Sequence, residues 1–124
     1  MFAMAIASYM LSGKQMERLA MRMMLKFTIP TEIGNRAIKD SSLPKLFEAI
    51  IGKLKPEASY FLTDKGLRCG MIFFDMRDAS DIPGIAEPLF TGLNAELEFV
   101  PVMDSDDLKK GLDAAARALR DARS

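Results

Sequence analysis

The stretch EASYFLTDKGLRCGMIFFD, residues 57–75, decides the fold of this chain. Two runs rich in aromatic and aliphatic residues flank the sequence DKG at 64–66, whose glycine tolerates the positive φ that a tight turn requires. The pattern predicts a β-hairpin with strands over 57–63 and 67–75. The second strand is apolar on both faces, where Cys69, Met71 and Phe73 alternate with Gly70, Ile72 and Phe74.

One further strand is predicted on each side of this hairpin. Residues 22–29 (RMMLKFTI) alternate between apolar and mixed positions, which is the period of a half-buried strand, and Pro30 ends the run. Residues 95–102 (AELEFVPV) show the same alternation, with Leu97 and Phe99 on the apolar side. The sequence therefore predicts four strands.

Helical patterns fill the two intervals between the outer strands and the hairpin. Residues 31–40 predict one or two helical turns, and SSLP at 41–44 restarts the helix because serine accepts from free backbone N–H groups. The apolar residues that follow recur at helical spacing and mark a buried face: Leu46, Phe47, Ile50, Ile51 and Leu54. A second helix is predicted over 81–93, with a kink or a break at Pro88.

The end of the chain predicts a terminal helix over 105–122, capped by Asp104. The element order is then β-α-β-β-α-β with a C-terminal helix. That order is the plan of a ferredoxin-like α+β fold, with an antiparallel sheet and both main helices on one face. We assign 22–124 to this single domain and 1–21 to an N-terminal extension, loose or helical.

Histidine is absent from all 124 residues, and this absence excludes several chemistries. The chain by itself forms no Ser-His-Asp or Cys-His nucleophile and no histidine-ligated zinc or haem site. Cys69 is the only cysteine, which excludes an intrachain disulfide and favours a reducing, cytoplasmic compartment. The 17 basic residues balance 17 acidic ones, which disfavours a nucleic-acid binder. We expect no cofactor and no metal, and the apolar run 1–11 is too short to cross a membrane.

A ferredoxin-like sheet leaves uncovered the face opposite its helices, called here the open face. In this chain the open face has an apolar centre from the third strand and mixed borders from the first and fourth strands: Met24, Lys26, Thr28, Glu96, Glu98 and Val100. An apolar patch is rarely left in water when it is large. We therefore expect a homodimer in which two open faces meet and enclose a cavity.

Several strings of the sequence carry a resemblance to a known family: LKFTIP (25–30), AIKDSSLPK (37–45), LKPEASYF (54–61), DIPGIAEPLF (81–90) and NAELEFVPVM (94–103). With the predicted plan, they resemble an uncharacterised bacterial family of small dimeric α+β-barrel proteins, over about residues 23–112. The resemblance implies two sheets that form a barrel around a small organic molecule. The wider superfamily includes cofactor-free isomerases and monooxygenases as well as ligand-sensing domains, and its haem-binding branch disagrees with the absence of histidine.

Four residues are candidates for chemistry or binding on the open face. Lys26 and Glu98 are expected on neighbouring strands, where they hold a substrate carboxylate or move a proton, or else form an ion pair that only satisfies two charges. Tyr60 places its hydroxyl in the cavity as a weak acid, or is an ordinary core aromatic. Thr28 is a candidate for ligand binding.

Three more residues are candidates for ligand binding. Asn35 and Asn94 can each orient a ligand, although asparagine is also favoured at turn positions. Arg68 can bind an anion or remain solvated. The sequence DSDD at 104–107 fits helix capping better than a metal loop, because it lacks the glycine and distal glutamate of an EF-hand.

These observations leave three functions open. The first is a cofactor-free enzyme, isomerase or monooxygenase-like, that acts on a small organic molecule in the barrel with Lys26, Glu98 and Tyr60 as acid–base groups. The second is a non-catalytic ligand-binding or sensor module, and the third is an interaction protein whose open face is only a dimer interface. One fold hosts many functions, so the choice depends on the site.

We predict that deleting residues 1–20 changes the melting temperature little, because the segment precedes every predicted strand and shows no sustained hydrophobic period. Thermal unfolding of the truncated and full-length chains measures this. Loss of cooperative unfolding in the truncated chain would show instead that the segment is part of the core.

Overall fold

Strand β1 (Met21–Ile29) lies inside the sheet, between β3 (Leu67–Met76) and β4 (Glu96–Pro101). Strand β2 (Ala58–Asp64) pairs with the other side of β3, so the order is β2-β3-β1-β4 and every pair is antiparallel. The computed structural model describes residues 20–123. The predicted extension 1–21 therefore lies outside the described residues except for its last two, and Met21 already belongs to β1.

Four α-helices accompany the sheet within the described residues: α1 (Thr31–Lys39), α2 (Ser42–Leu54), α3 (Ile82–Leu93) and α4 (Ser105–Arg123). A short 3-10 helix, Ala79–Asp81, precedes α3. The predicted α+β class and antiparallel sheet are confirmed, and the arrangement is compatible with a ferredoxin-like fold. Helix α1 is nine residues long, more than the one or two turns predicted from its sequence.

The core lies between one face of the sheet and helices α1, α2 and α3. Leu25, Phe27 and Ile29 of β1 are at most 1% exposed, and Leu89 and Leu93 of α3 pack into the same cluster. Full burial of a side chain of this size stabilises the fold by about 1.5–3 kcal/mol. The period-2 alternation in β1 therefore decides which face of the sheet receives the helices.

The hairpin between β2 and β3 turns on Lys65 and Gly66. Both residues have positive φ, 51° and 81°, which is the backbone of a two-residue type I′ turn. The twist of this turn matches the right-handed twist of the strands. The turn predicted from Gly66 is confirmed, and Asp64 is the last residue of β2 rather than part of the turn.

Pro88 does not break α3, which runs from Ile82 to Leu93 with the proline inside it. Proline has no N–H, so the carbonyl of Gly84, four residues earlier, loses its usual helical donor. The Lys53 ammonium of α2 donates to that carbonyl over 3.2 Å. A side chain from the neighbouring helix thus replaces the missing hydrogen bond.

We predict that Lys53→Met destabilises the protein by about 0.5–1 kcal/mol, the net value of one hydrogen bond to a carbonyl. In a Pro88→Ala background the same substitution is expected to have a smaller effect, because the N–H of residue 88 then supplies the Gly84 carbonyl. Urea unfolding of the wild type, both single variants and the double variant gives the coupling energy. A coupling energy of zero would show that Lys53 does not compensate for Pro88.

Candidate functional site

The candidate residues divide between the two sides of the sheet. Lys26, Thr28, Tyr60 and Glu98 lie on the open face, as the strand alternation predicts. Lys26 and Glu98 are direct partners in the register of β1 and β4, so the expected juxtaposition on neighbouring strands is confirmed. The acid–base roles assigned to these residues stay predictions.

The Lys26 ammonium forms its ion pair with Asp64, not with Glu98. The Nζ atom lies 2.9 Å from Oδ2 of Asp64, and the two side chains are 23% and 31% exposed. Because β3 separates β1 from β2, this contact crosses a whole strand. The DKG pattern places Asp64 in the turn, and Asp64 was therefore not predicted as a site residue, although continuing the alternation Tyr60, Leu62, Asp64 places it on the open face.

The ion pair keeps both of its members charged. The hydrogen bond and charge of Asp64 raise the pKa of Lys26; burial opposes this, and the charge of Glu98 raises the pKa by less than burial lowers it. The same contact with Lys26 lowers the pKa of Asp64. A general acid or base works best with a pKa near the operating pH, and both shifts move away from neutrality. The pair is therefore suited to holding fixed charges rather than to transferring protons.

A cavity of about 220 Å³ lies beside this pair on the open face. It is lined mainly by charged and polar residues, which are Lys26, Thr28, Asp64, Lys65, Glu96 and Glu98. Glu96 and Glu98 are exposed, and no hydrogen bond or ion pair engages their carboxylates within residues 20–123. The site therefore offers two accessible carboxylates next to an ammonium–carboxylate pair that is already neutralised.

Cys69 lies on β3 under the contact between Lys26 and Asp64, since it occupies the position between their register partners Met71 and Leu67. It is buried, and this burial raises the pKa of its thiol, an effect that the nearby Lys26 partly opposes. A thiol in this state is protonated at neutral pH and is a poor nucleophile. Cys69 is thus a buried, neutral group beneath the ion pair and does not line the cavity.

An apolar area on β2 and β3 adjoins the polar cavity. Tyr60 is exposed, and its ring meets that of Phe73 edge-on with the centroids 6.3 Å apart. Leu62, the next residue of β2 on this face, is exposed as well. The open face therefore has a polar part around the Lys26–Asp64 pair and an apolar part that includes Tyr60 and Leu62.

Arg68 and Asn35 form a second group, on the helix side of the sheet. The Nη2 atom of Arg68 donates to Oδ1 of Asn35 over 2.9 Å, and Nη1 donates to the carbonyl of Thr31 over 3.4 Å. Gly34 leaves room for this contact, because a β-carbon there would lie 2.5 Å from Nη1 of Arg68 and the guanidinium would have to shift. Asn35 lies inside α1, which corrects its assignment to a turn position. The guanidinium fastens α1 to β3 through these two hydrogen bonds.

Asn94 ends α3 in the left-handed conformation, with φ 49° and ψ 37°. Asparagine tolerates this backbone better than most residues do, and its N–H donates to the carbonyls of Leu89 and Phe90. The left-handed backbone at the end of α3 therefore explains why an asparagine occupies position 94, and no ligand is needed to explain it. Neither Asn94 nor the Arg68–Asn35 pair belongs to the open-face cavity.

A larger cleft of about 380 Å³ lies elsewhere, between the C-terminal end of β3 and the start of α3. Its lining includes Lys53, Asp75, Arg77, Ser80 and Asp81. No buried side-chain N or O atom within residues 20–123 lacks a hydrogen-bond partner, so no buried polar group marks this cleft as a binding site. We therefore place the candidate site on the open face, where charged groups from three strands converge.

No group of three or more His, Cys, Asp or Glu residues within residues 20–123 is arranged to hold a metal ion. No helix in that range is long and apolar enough to cross a membrane.

Comparison with protein-family models, with curated proteins and with solved structures finds no match to this chain. The resemblance to small dimeric α+β-barrel proteins therefore stays a prediction.

We predict that Asp64→Asn makes the stability of the protein less sensitive to acid. The pKa of Asp64 is lowered in the fold, so its contribution is complete above the ordinary aspartate value of about 3.9 and is lost as the pH falls through the lowered value. At alkaline pH the raised pKa of Lys26 has the opposite effect. Its contribution to the free energy of unfolding is complete below about pH 10.4, the ordinary lysine value, and is lost as the pH rises through the raised pKa.

Urea unfolding between about pH 2 and pH 5 measures the acid limb. Asp113→Asn, at an exposed position of α4, is the matched control and is expected to leave the limb unchanged. Equal slopes for wild type and Asp64→Asn would show that the ion pair contributes nothing in solution.

Proposed function

We propose that the open face is the inner wall of a homodimeric, ferredoxin-like α+β barrel and binds a small organic cation without catalysing a reaction. The observation that carries this proposal is the cavity beside the Lys26–Asp64 pair, which is bordered by the accessible carboxylates of Glu96 and Glu98. Small-molecule sites combine an apolar wall with a few oriented polar groups. The open face of this chain has both parts.

The charges of the cavity favour a cationic ligand. Three carboxylates, from Asp64, Glu96 and Glu98, face two ammonium groups, from Lys26 and Lys65. Since Lys26 neutralises Asp64, the two glutamates are the groups best placed to receive a positively charged nitrogen. The hydroxyl of Thr28 adds a hydrogen-bonding group at the floor of the cavity.

Binding is favoured over catalysis because the central titrating pair stays ionised across neutral pH. The alternative, a cofactor-free isomerase or monooxygenase with Lys26, Glu98 and Tyr60 as acid–base groups, remains a prediction. It requires a group with a pKa near the working pH, and the directions found for Lys26 and Asp64 oppose that role.

The second copy is proposed because the apolar half of the open face is exposed. Tyr60, Leu62 and Val100 all present apolar surface to solvent on this face. Two copies related by a two-fold axis cover that surface reciprocally. A stable contact of this kind buries about 1,600 Å² and also closes the cavity.

The ligand is tested by thermal shift with putrescine as the cationic probe and glutarate as the anionic one. At tenfold its Kd, a ligand stabilises by about 1.4 kcal/mol, which raises the melting temperature by about 3–6 °C in a domain of this size. We expect this shift with putrescine and not with glutarate. Glu98→Gln should reduce it, and Glu48→Gln, at an exposed position of α2, should leave it unchanged.

Lys26→Met distinguishes the two ligand charges. The substitution frees the Asp64 carboxylate, so the shift with a cation is expected to increase. If the site instead held a carboxylate through Lys26, a glutarate shift would be seen in the wild type and lost in the variant. That result would overturn the cationic proposal.

The dimer is tested by light scattering with Leu62→Lys, which places a charge on the apolar half of the open face. We expect a dimer at micromolar concentration for the wild type and a monomer for the variant. Ile38→Lys is the matched control, since Ile38 is 49% exposed on α1 and Leu62 is 39% exposed. A monomeric wild type, or a Leu62→Lys variant that remains dimeric, would contradict the open-face dimer.

A further inference from the structure

Helix α4 buries no residue, although it is the longest helix of the described chain. All of its positions from Ser105 to Arg123 are exposed, and three leucines are largely so: Leu108 at 46%, Leu112 at 59% and Leu119 at 69%. No member of the hydrophobic core cluster comes from α4. In proteins most of the stability of a helix comes from packing of its amphipathic face, and residues 20–123 provide no such packing for α4.

The start of α4 is nevertheless firmly placed. Asp104 accepts from the N–H of Asp107 over 2.8 Å, and the Asp107 carboxylate accepts from the N–H of Asp104 over 3.2 Å, a reciprocal capping arrangement. Arg22 of β1 pairs with both aspartates, at 3.3 and 3.4 Å, and with Glu57 at 2.6 Å. The helix is thus anchored to the sheet at its first turn, and none of its later residues is buried.

The apolar residues of α4 form a single seam. Leu108, Leu112, Ala115, Leu119 and Ala122 are separated by steps of four and three residues. That spacing is the heptad pattern by which one helix packs lengthwise against another. Gly111 and Ala118 flank the seam and are small, which permits a close approach of two helix axes.

The charges of α4 are distributed unevenly along its length. Residues 104–113 contain four aspartates and two lysines, whereas residues 114–123 contain three arginines and one aspartate. A parallel pair of such helices places like charges together, and an antiparallel pair places the acidic half against the basic half. The helix dipoles act in the same direction, because opposed helices bring opposite ends together.

We propose that α4 pairs antiparallel with α4 of a second copy of this chain. With Leu112 opposite Ala115 of the partner subunit, a large side chain meets a small one in the middle of the seam, and Leu108 then meets Leu119 of the partner subunit. Alternation of large and small side chains is the condition for close packing. The pairing goes beyond the ligand-binding function and does not depend on it.

The seam of one helix is smaller than a standard interface, so the contact is expected to be weak on its own and is best captured by cross-linking. The full-length Cys69→Ala chain is the parent, because Cys69 is the only cysteine. Three alanines of α4 are changed one at a time to cysteine and treated with a short bis-maleimide. These are Ala115 in the middle of the seam, Ala122 at its end, and Ala114 on the outer side.

In the proposed register, two copies of position 115 are offset by three residues, or about 4.5 Å along the axis, whereas two copies of position 122 are about 25 Å apart. We therefore expect a cross-linked dimer with Ala115→Cys at about 100 µM protein and at least about fivefold less with Ala114→Cys or Ala122→Cys. Equal yields at 115 and 114 would overturn the pairing. Equal yields at 115 and 122 would show a parallel pair and would overturn the antiparallel register.

A final variant separates this contact from the proposed open-face dimer. Leu62→Lys combined with Ala115→Cys is expected to retain the cross-link, since Leu62 lies on β2 and not on α4. Loss of the cross-link in that double variant would show that α4 is only brought near its counterpart by another interface, and the proposal would fail while the open-face dimer stood.

Discussion

The ring of Phe27 packs directly over Gly70, and the fold depends on this contact. A β-carbon at position 70 would overlap the ring. The glycine therefore allows the ring of Phe27 on β1 to lie across its register partner on the neighbouring strand β3. The ring of Phe47 of α2 lies 5.4 Å from that of Phe27, and Phe61 of β2 stacks on Phe47 at 5.3 Å. This aromatic series joins three strands to one helix on a single side of the sheet.

The aromatic series lies on the helix side of the sheet. The opposite side of the same strands carries charged residues instead. The residues that alternate with Leu25, Phe27 and Ile29 include Lys26, whose ammonium crosses β3 to reach Asp64. Its alkyl stem and the pair it forms lie over Cys69, which is buried on the nominally open face. The packing of the core thus indirectly determines where the charges of the candidate site converge.

Side chains from neighbouring elements support two helices that lack part of the usual stabilisation. One is α3, which contains a proline, and the other is α4, which buries no residue. The Lys53 ammonium of α2 serves the Gly84 carbonyl that Pro88 leaves without a donor. Arg22 of β1 forms an ion pair with Asp104 at the start of α4, a helix that contributes no residue to the hydrophobic core cluster. Both contacts come from side chains distant in sequence, so local propensity alone does not reveal them.

Much of the fold was determined by the sequence itself. The alternation in β1, β3 and β4, the turn at Gly66 and the cap at Asp104 are local patterns, and their elements end within a residue or two of the predicted limits. The tertiary structure alone decided that Lys26 pairs with Asp64, that Arg68 holds Asn35, and that Pro88 remains inside a continuous helix. Backbone patterns repeat over a few residues, whereas the partner of a long charged side chain depends on which strands and helices the fold brings within its reach.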